Sequence, residues 1–478
     1  MSVAKRLAAV AVLTLLSAAT ACSKPPRLAA DLVITGANIW TGTAAANATA
    51  VAVIGDRIVD VGGADDIERW RGPNTTVVNA EGRRLLPGFN DARVRFTDGG
   101  RQLDEVDLRD APSAAEFARR INERAKVKPG EWVLGGGWDE RAWTPADLPV
   151  RALIDDITNS SPVFVRRYDG RMALANAAAL GRAGITERTP DPPGGVIVRG
   201  ANGFPTGVLQ GTAMDAVVRV IPAVTPEQRL HALKRALEHA GSFGVTSVQD
   251  LGATGEDIAA YGELAAKGEL TVRVYAVPDE AGWYDQAKLG VRRGFGSPWL
   301  RIGAVHARLD AGGDVEAMRT RLMAADHAGL QVSIGAADAA AAPVLDLFDA
   351  IATANGGRDR RFRVDGARIE ARDRGRLAGL SAIAPLGSGW PAGSLNPMLT
   401  LRSGAAPPAI ADAVAALSSG AAFAEFQERE KGTIARGQLA DMVILSDDIF
   451  ATANAANIPA VRVLTTIVGG RVVHQQKP

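Results

Sequence analysis

The stretch "LLPGFNDARVRF", Leu85 to Phe96, decides how the chain is read. An apolar run ends in Pro87-Gly88, and polar side chains then alternate at Asp91, Arg93 and Arg95. Residues two apart on a strand share a face. In a barrel, one face of every strand points at the axis. The pattern predicts a strand that projects two arginines together from its end.

On the N-terminal side of this strand, residues 30–80 read as short strands: "DLVITGANIW", "AVAVIGDRIVDVG" and "TTVVNAEGRRLL", with Gly55-Asp56 as a hairpin turn. The C-terminal end repeats the style in "ADMVILSD" and "VRVLTTIVGGRVVHQ", turned by Gly469-Gly470. Two strand-rich ends predict one small β domain, a sandwich built from residues 30–84 and 430–478. Between them, residues 85–429 alternate strands such as "WVLGGGWD", "PVFVRRYDG", "GVTSVQDLG", "LTVRVYAVP", "LRIGAVHARLD" and "LQVSIGAAD" with helices. The helix "TPEQRLHALKRALEHAGSFG" has Pro226 at its start, leucines on one face and glycine at its end. Alternation of this kind argues for a parallel sheet. The number of units favours a (β/α)8 barrel.

Composition narrows the function. Of the 478 residues, 22% are charged and the formal net charge is +1, which gives no reason to expect nucleic acid or a polybasic membrane surface. At the N-terminus, Lys5 and Arg6 precede the apolar run Leu7 to Ala19, the layout of a secretory signal. Cys22 is the only cysteine, so no intrachain disulfide can form. Its place after "SAATA" resembles a bacterial lipobox, although Ala19 stands where leucine is more usual. The expectation is a signal peptide over 1–22, a lipid anchor on Cys22, a tether over 23–29 and an exported, outer-membrane lipoprotein facing the periplasm.

The ordered motifs "ADLVITGANIWTG", "LLPGFNDA", "GGGWDE" (135–140), "DGRMALANAAAL" (169–180), "DPPGGVIVRGANGFPTGVL" (191–209), "RFRVDGA" (361–367), "GSGWP" (387–391) and "KGTIARGQLADMVIL" (431–445) resemble the amidohydrolase superfamily. Within it, they are similar to the amidohydrolase 3 group, which includes N-substituted formamide deformylase-like enzymes. That resemblance implies a metal-dependent-hydrolase barrel acting on non-peptide C–N bonds of small molecules. It also implies zinc or another divalent metal, whose bound water attacks the substrate. The family's ligands are a His-x-His pair, a lysine, two further histidines and an aspartate that is also the general base.

Carried over to this sequence, those positions hold Arg93, Arg95, His306, Gly335, Gly366 and Gly389, and a further family histidine is Arg171. Guanidinium offers only donors and cannot ligate a metal. No cofactor is therefore expected, and no general base stands at Gly389. Of the five histidines only His306 falls at a barrel-strand end; His231 and His239 are placed on the polar side of their helix. Asp91, Asp250, Asp310 and Asp338 remain near strand ends, where a carboxylate-only site for magnesium or calcium would need them to converge. "LSAIAPLGSGWP" supplies one apolar run where the family has two strands, so the barrel is expected to be short of a strand.

Three readings stay open. One is a pseudoenzyme in which Arg93, Arg95, Arg171, Arg361 and Arg363 hold a small anion, or hold nothing. The second is an active amidohydrolase with a non-standard metal site. The third is a structural or interaction lipoprotein.

Overall fold

Turn chemistry sets the first hairpin: Gly55 takes a positive φ of 58°, and Ala50–Ile54 folds back on Arg57–Gly62. The computed structural model describes residues 28–44, 48–158, 161–309, 314–336, 341–402, 410–451 and 455–476. Cys22, the signal segment, most of the tether, Asp310 and Asp338 lie outside the described residues. The chain divides into two compact units, one reaching to Asn90 and resuming at Leu401, the other running from Asp91 to Thr400.

In the smaller unit, Leu32–Thr35 lies between Ala50–Ile54 and Thr76–Asn79 in a four-stranded sheet. A five-stranded sheet orders Asn38–Ile39, Arg84–Pro87, Met442–Leu445, Val463–Val468 and Arg471–Gln475. Ile34, Val51 and Val53 of the first sheet share an apolar cluster with Leu85, Met442 and Ile467 of the second. The dividing points fall at 90/91 and 400/401, not at 84/85 and 429/430. A buried contact accounts for part of the difference: Glu425 accepts from Asn90 Nδ2 at 2.7 Å and pairs with Lys431 Nζ at 2.8 Å. A buried charge needs a partner, so the "KGT" motif and the residues just before it belong together.

The larger unit has two principal β structures. In the first, Phe89–Val94, Val245–Leu251 and Arg273–Val277 are neighbours. The Ala304–Arg308, Gln331–Gly335 and Arg363–Asp365 strands form a parallel set. A parallel bridge between Asp279 and His306 links the two groups. Helices fall between these strands, and sequence dictates their starts. Thr225 Oγ1 accepts from the Gln228 amide while Gln228 Oε1 accepts from the Thr225 amide, a reciprocal cap on Pro226–Ser242.

The second β structure is a six-stranded sheet that contains Val133–Trp138 and Val163–Arg167. These two strands, expected among the barrel staves, pair instead with Val106–Asp107 and with antiparallel neighbours ending in Gly195–Arg199. The expected count of eight units thus drew on strands of two sheets. Among the described residues the first structure has eight strands, with Leu300–Ile302 and Phe295–Gly296 outside Arg273–Val277, and one extra segment: Ile383 bridges Arg363, and residues 389–390 bond the end of the first strand. Gly389 N donates to Arg93 O at 2.8 Å, and Arg95 N to Trp390 O at 2.8 Å.

Candidate functional site

Parallel register brings one face of three strands together. His306 lies opposite Ser333, Ser333 opposite Arg363, and Gly335 opposite Asp365. His306 Nδ1 lies 2.8 Å from Ser333 Oγ, and Ser333 Oγ donates to Asp365 Oδ2. Asp365 Oδ1 takes Arg363 Nη2 at 3.1 Å. Arg363 also donates through Nη1 to Gln249 Oε1 and through Nη2 to Ala92 O, both at 2.6 Å. All of these side chains are buried.

Proton bookkeeping fixes the tautomer. Ser333 has one hydroxyl proton and gives it to the carboxylate, so it accepts from His306 Nδ1–H. That leaves the Nε2 lone pair of neutral His306 facing away from Ser333. Burial depresses the His306 pKa and favours that neutral form. Nε2 borders the place where a side chain at Gly335 would begin: a Cβ there would sit 3.1 Å from the ring's Cε1 and 3.2 Å from Nε2.

Arg93 repeats this relationship with Gly389. A Cβ on Gly389 would stand 3.3 Å from Arg93 Nη2, and the same nitrogen reaches Gly387 O at 3.4 Å. Arg95 is exposed and pairs with Asp98 at 3.1 Å. The remaining arginines of the expected anion pocket lie elsewhere. Arg363 is sealed in its ion pair. Arg361 precedes the Arg363–Asp365 strand, where its carbonyl accepts from Gln331 Nε2 at 2.8 Å and its guanidinium pairs with Asp359. Arg171 sits in the turn before Met172–Ala175 of the six-stranded sheet, with its amide on Asp169 Oδ1. The five arginines therefore do not form one pocket; Arg93 and Arg95, on one strand end, are the pair that remains.

The surviving aspartates hold backbone. Asp91 accepts from the Arg93 and Ser388 amides at 3.1 and 3.0 Å, which ties the 387–390 segment to the first strand. Asp250 accepts from the Phe96 amide at 2.7 Å and Tyr261 Oη at 2.8 Å. Complete burial pushes its carboxyl up to about 7 against those two hydrogen bonds. Among the described residues no three His, Cys, Asp or Glu side chains converge in a way that would hold a metal ion. A divalent metal needs several oxygen, nitrogen or sulfur ligands. Here the family's ligand positions supply one imidazole, two arginines and three glycines, so the residues present do not fit it.

The sequence profile of the Amidohydrolase family matches residues 76–410 and 406–474. The chain belongs to the amidohydrolase family. This amidohydrolase-family chain is 31% identical to the Arabidopsis thaliana Protein LONG AFTER FAR-RED 3, over 94% of this chain and 92% of that one. It is 32% identical to the N-substituted formamide deformylase of Arthrobacter pascens, over 39% of this chain and 35% of the deformylase. Among solved structures, a metal-dependent hydrolase of Pyrococcus horikoshii OT3 matches with a TM-score of 0.72 at 19% identity, covering 88% of this chain and 98% of that one. A Xanthomonas campestris adenosine deaminase solved with bound zinc matches at 0.54 and 13% identity, covering 94% of each chain. These likenesses establish a mixed α/β fold of the amidohydrolase kind.

Ser333 and Asp365 are the functional partners that sequence reading passed over. Their signal was the period-two spacing of Ser333 with Gly335 and of Arg363 with Asp365 on adjacent apolar strands.

Proposed function

We propose that this amidohydrolase-family chain has given up metal-dependent hydrolysis of C–N bonds and keeps the scaffold as a non-catalytic, small-molecule-binding protein. One observation carries the reading. Each family ligand position holds a residue that cannot ligate (Arg93, Arg95, Gly335, Gly366, Gly389), and the sixth, His306, is held by Ser333. Arg93 and Arg95 then offer a small anionic ligand two guanidinium groups on one strand end.

The test is metal analysis of protein purified without added metal, beside an amidase assay with and without chelator. Background metal and no activity are expected. Near-stoichiometric metal with chelator-sensitive turnover would establish an active hydrolase with a non-standard centre. For the anion, thermal-shift screening with phosphate and small dicarboxylates is expected to stabilise the wild type and not Arg93→Ala. The absence of any stabilisation leaves Arg93 and Arg95 a solvated rim.

The fold reading goes further too. We take the two sheets of the small unit as a sandwich, and the Ile383–Trp390 segment as the stave that closes a shortened barrel. Its bonds to Arg363 on one side and to Arg93 and Arg95 on the other support this. The lipoprotein and outer-membrane reading rests on the sequence around Cys22. Labelling with a radioactive fatty acid, abolished in Cys22→Ser, is its test.

A further inference from the structure

A second site lies in the six-stranded sheet, at residues the family's metal chemistry does not use. Val133–Trp138, next to the edge strand Val106–Asp107, carries three glycines in a row. Gly135, Gly136 and Gly137 take φ of 133°, 142° and 91°, a region closed to other residues. A Cβ on Gly135 would strike Val106 O at 2.3 Å, and one on Gly136 would strike Arg166 O at 2.1 Å. Residues 135–137 are therefore bare backbone between two side-chain-bearing neighbours. Asp107 and Arg166 both lie opposite Gly136, roughly 10 Å apart across two strand spacings.

Over this floor opens a cavity of about 730 Å³, lined by Glu105, Arg166, His239, Phe243 and Trp390 among others. That volume suits a small ligand. One wall is aromatic. The His239 ring stacks on Trp390 at 5.6 Å and 27°, and meets Phe243 edge-on at 4.9 Å. His239, expected on the polar side of its helix, is half-buried in this wall, and burial lowers its pKa.

The charges sort into committed and uncommitted groups. Arg109 is taken by Asp107 at 2.6 Å, and Arg167 by Glu140 and Asp169. Arg166 has no carboxylate partner among the described residues; its guanidinium lies over the Phe164 ring at 5.7 Å. Glu105 is partly buried, and among the described residues its carboxylate makes no hydrogen bond or ion pair. Partial burial raises its pKa, the behaviour of a carboxylate that lacks a direct cationic partner. Arg101 first, then Arg166 and Arg124, oppose that rise from a distance without closing a salt bridge.

We propose that this cavity binds a small zwitterion with an apolar or aromatic body, such as a free amino acid. Its carboxylate lies on Arg166, its ammonium on Glu105 and its side chain against Trp390 and His239. The two charges are opposite in sign, unsatisfied by each other and separated by a floor without side chains. A ligand of one charge would leave either Arg166 or Glu105 unanswered. None of the family's metal-ligand positions lines the cavity, so this inference is independent of the loss of metal chemistry.

Isothermal titration calorimetry of the full chain with L-phenylalanine, 3-phenylpropionate and phenethylamine tests it. L-Phenylalanine is expected to bind at least about tenfold more tightly than either singly charged analogue, because each charge-assisted contact is worth that much. Arg166→Gln should weaken L-phenylalanine about tenfold and leave phenethylamine unchanged. Glu105→Gln should weaken L-phenylalanine similarly and leave 3-phenylpropionate unchanged. Neither group holds the fold, so the melting curves of both variants should overlay the wild type. Equal affinity for the three compounds, no binding of L-phenylalanine, or indifference to both substitutions overturns the proposal. A chelator should leave the L-phenylalanine affinity unchanged, which separates this result from the metal assay.

Discussion

The guanidinium of Arg93 occupies the surroundings of the side chain that Gly389 lacks: a Cβ on Gly389 would stand 3.3 Å from Arg93 Nη2. The two changes from the family pattern are sterically and electrostatically linked. Gly389→Asp alone would place the lost carboxylate beside a permanent cation, which competes with any metal for it. Zinc uptake by this variant, measured by mass spectrometry after dialysis, is expected to stay at background. Gly389 also takes a φ of 70°, so an L-residue there costs about 1 kcal/mol, and the urea midpoint should fall accordingly. Stoichiometric zinc in the single variant would sink the argument.

His306 and Gly335 make the same kind of pair. A Cβ on Gly335 comes within 3.2 Å of two ring atoms of His306, tighter than ordinary contact, and the ring is held by Ser333. Gly335→Ala is expected to cost about 1–3 kcal/mol, the usual penalty of overpacking. In a His306→Ala background the crowding is gone, and the same change should cost at least about 0.5 kcal/mol less. Additive urea unfolding energies across the four proteins would rule out the coupling.

Burial separates the two arginine–carboxylate pairs near these strand ends. Arg363 and Asp365 have 0% and 1% side-chain exposure, whereas Arg95 and Asp98 have 47% and 43%. Asp365→Asn strands a buried guanidinium and removes the carboxylate that accepts from Ser333, at about 3–5 kcal/mol. Asp98→Asn breaks a solvated pair worth less than about 1 kcal/mol. Denaturant titration of both variants should rank them in that order by several-fold; a similar loss for both would mean that Arg363 finds another partner.

Much of the architecture was legible because it rests on local chemistry. Gly55 and Gly469-Gly470 turn hairpins where their conformational freedom allows it, and Thr225, Pro226 and Gln228 start a helix for reasons written in three residues. The site was legible by position and not by assembly. Period-two spacing tells which face a side chain takes, but not its height along the strand or the sheet to which the strand belongs. Arg361, with a positive φ of 47°, falls outside the Arg363–Asp365 strand, and Arg171 belongs to another sheet altogether. Likewise, helical periodicity put His239 on a polar side, but only tertiary packing brings Trp390 against it. The residues just before "KGT" join the small unit for a related reason: Glu425 belongs with Asn90 through a hydrogen bond spanning 335 residues.

Asp250 provides the pH dependence that most clearly reports on the folded strand end. Burial raises its carboxyl from 3.8 to about 7. Between those values the folded chain holds a proton that the unfolded chain has lost, so stability falls as pH rises from about 4 to 7 and levels off above. His306 acts in the opposite sense. Its pKa is lowered from 6.5 by burial, so the folded chain resists protonation and loses stability as pH falls below that value. Buried Asp91 and Glu105 add to the Asp250 slope and His239 to that of His306, and the difference between wild type and Asp250→Asn isolates the Asp250 part. Asparagine keeps an acceptor for the Phe96 amide and cannot ionise, so the variant should fall less steeply between about pH 4 and 7 while retaining the His306 contribution. Urea unfolding across pH 4–9 measures this. Parallel curves for the two proteins would place the Asp250 titration outside that window and its carboxylate ionised in the folded state.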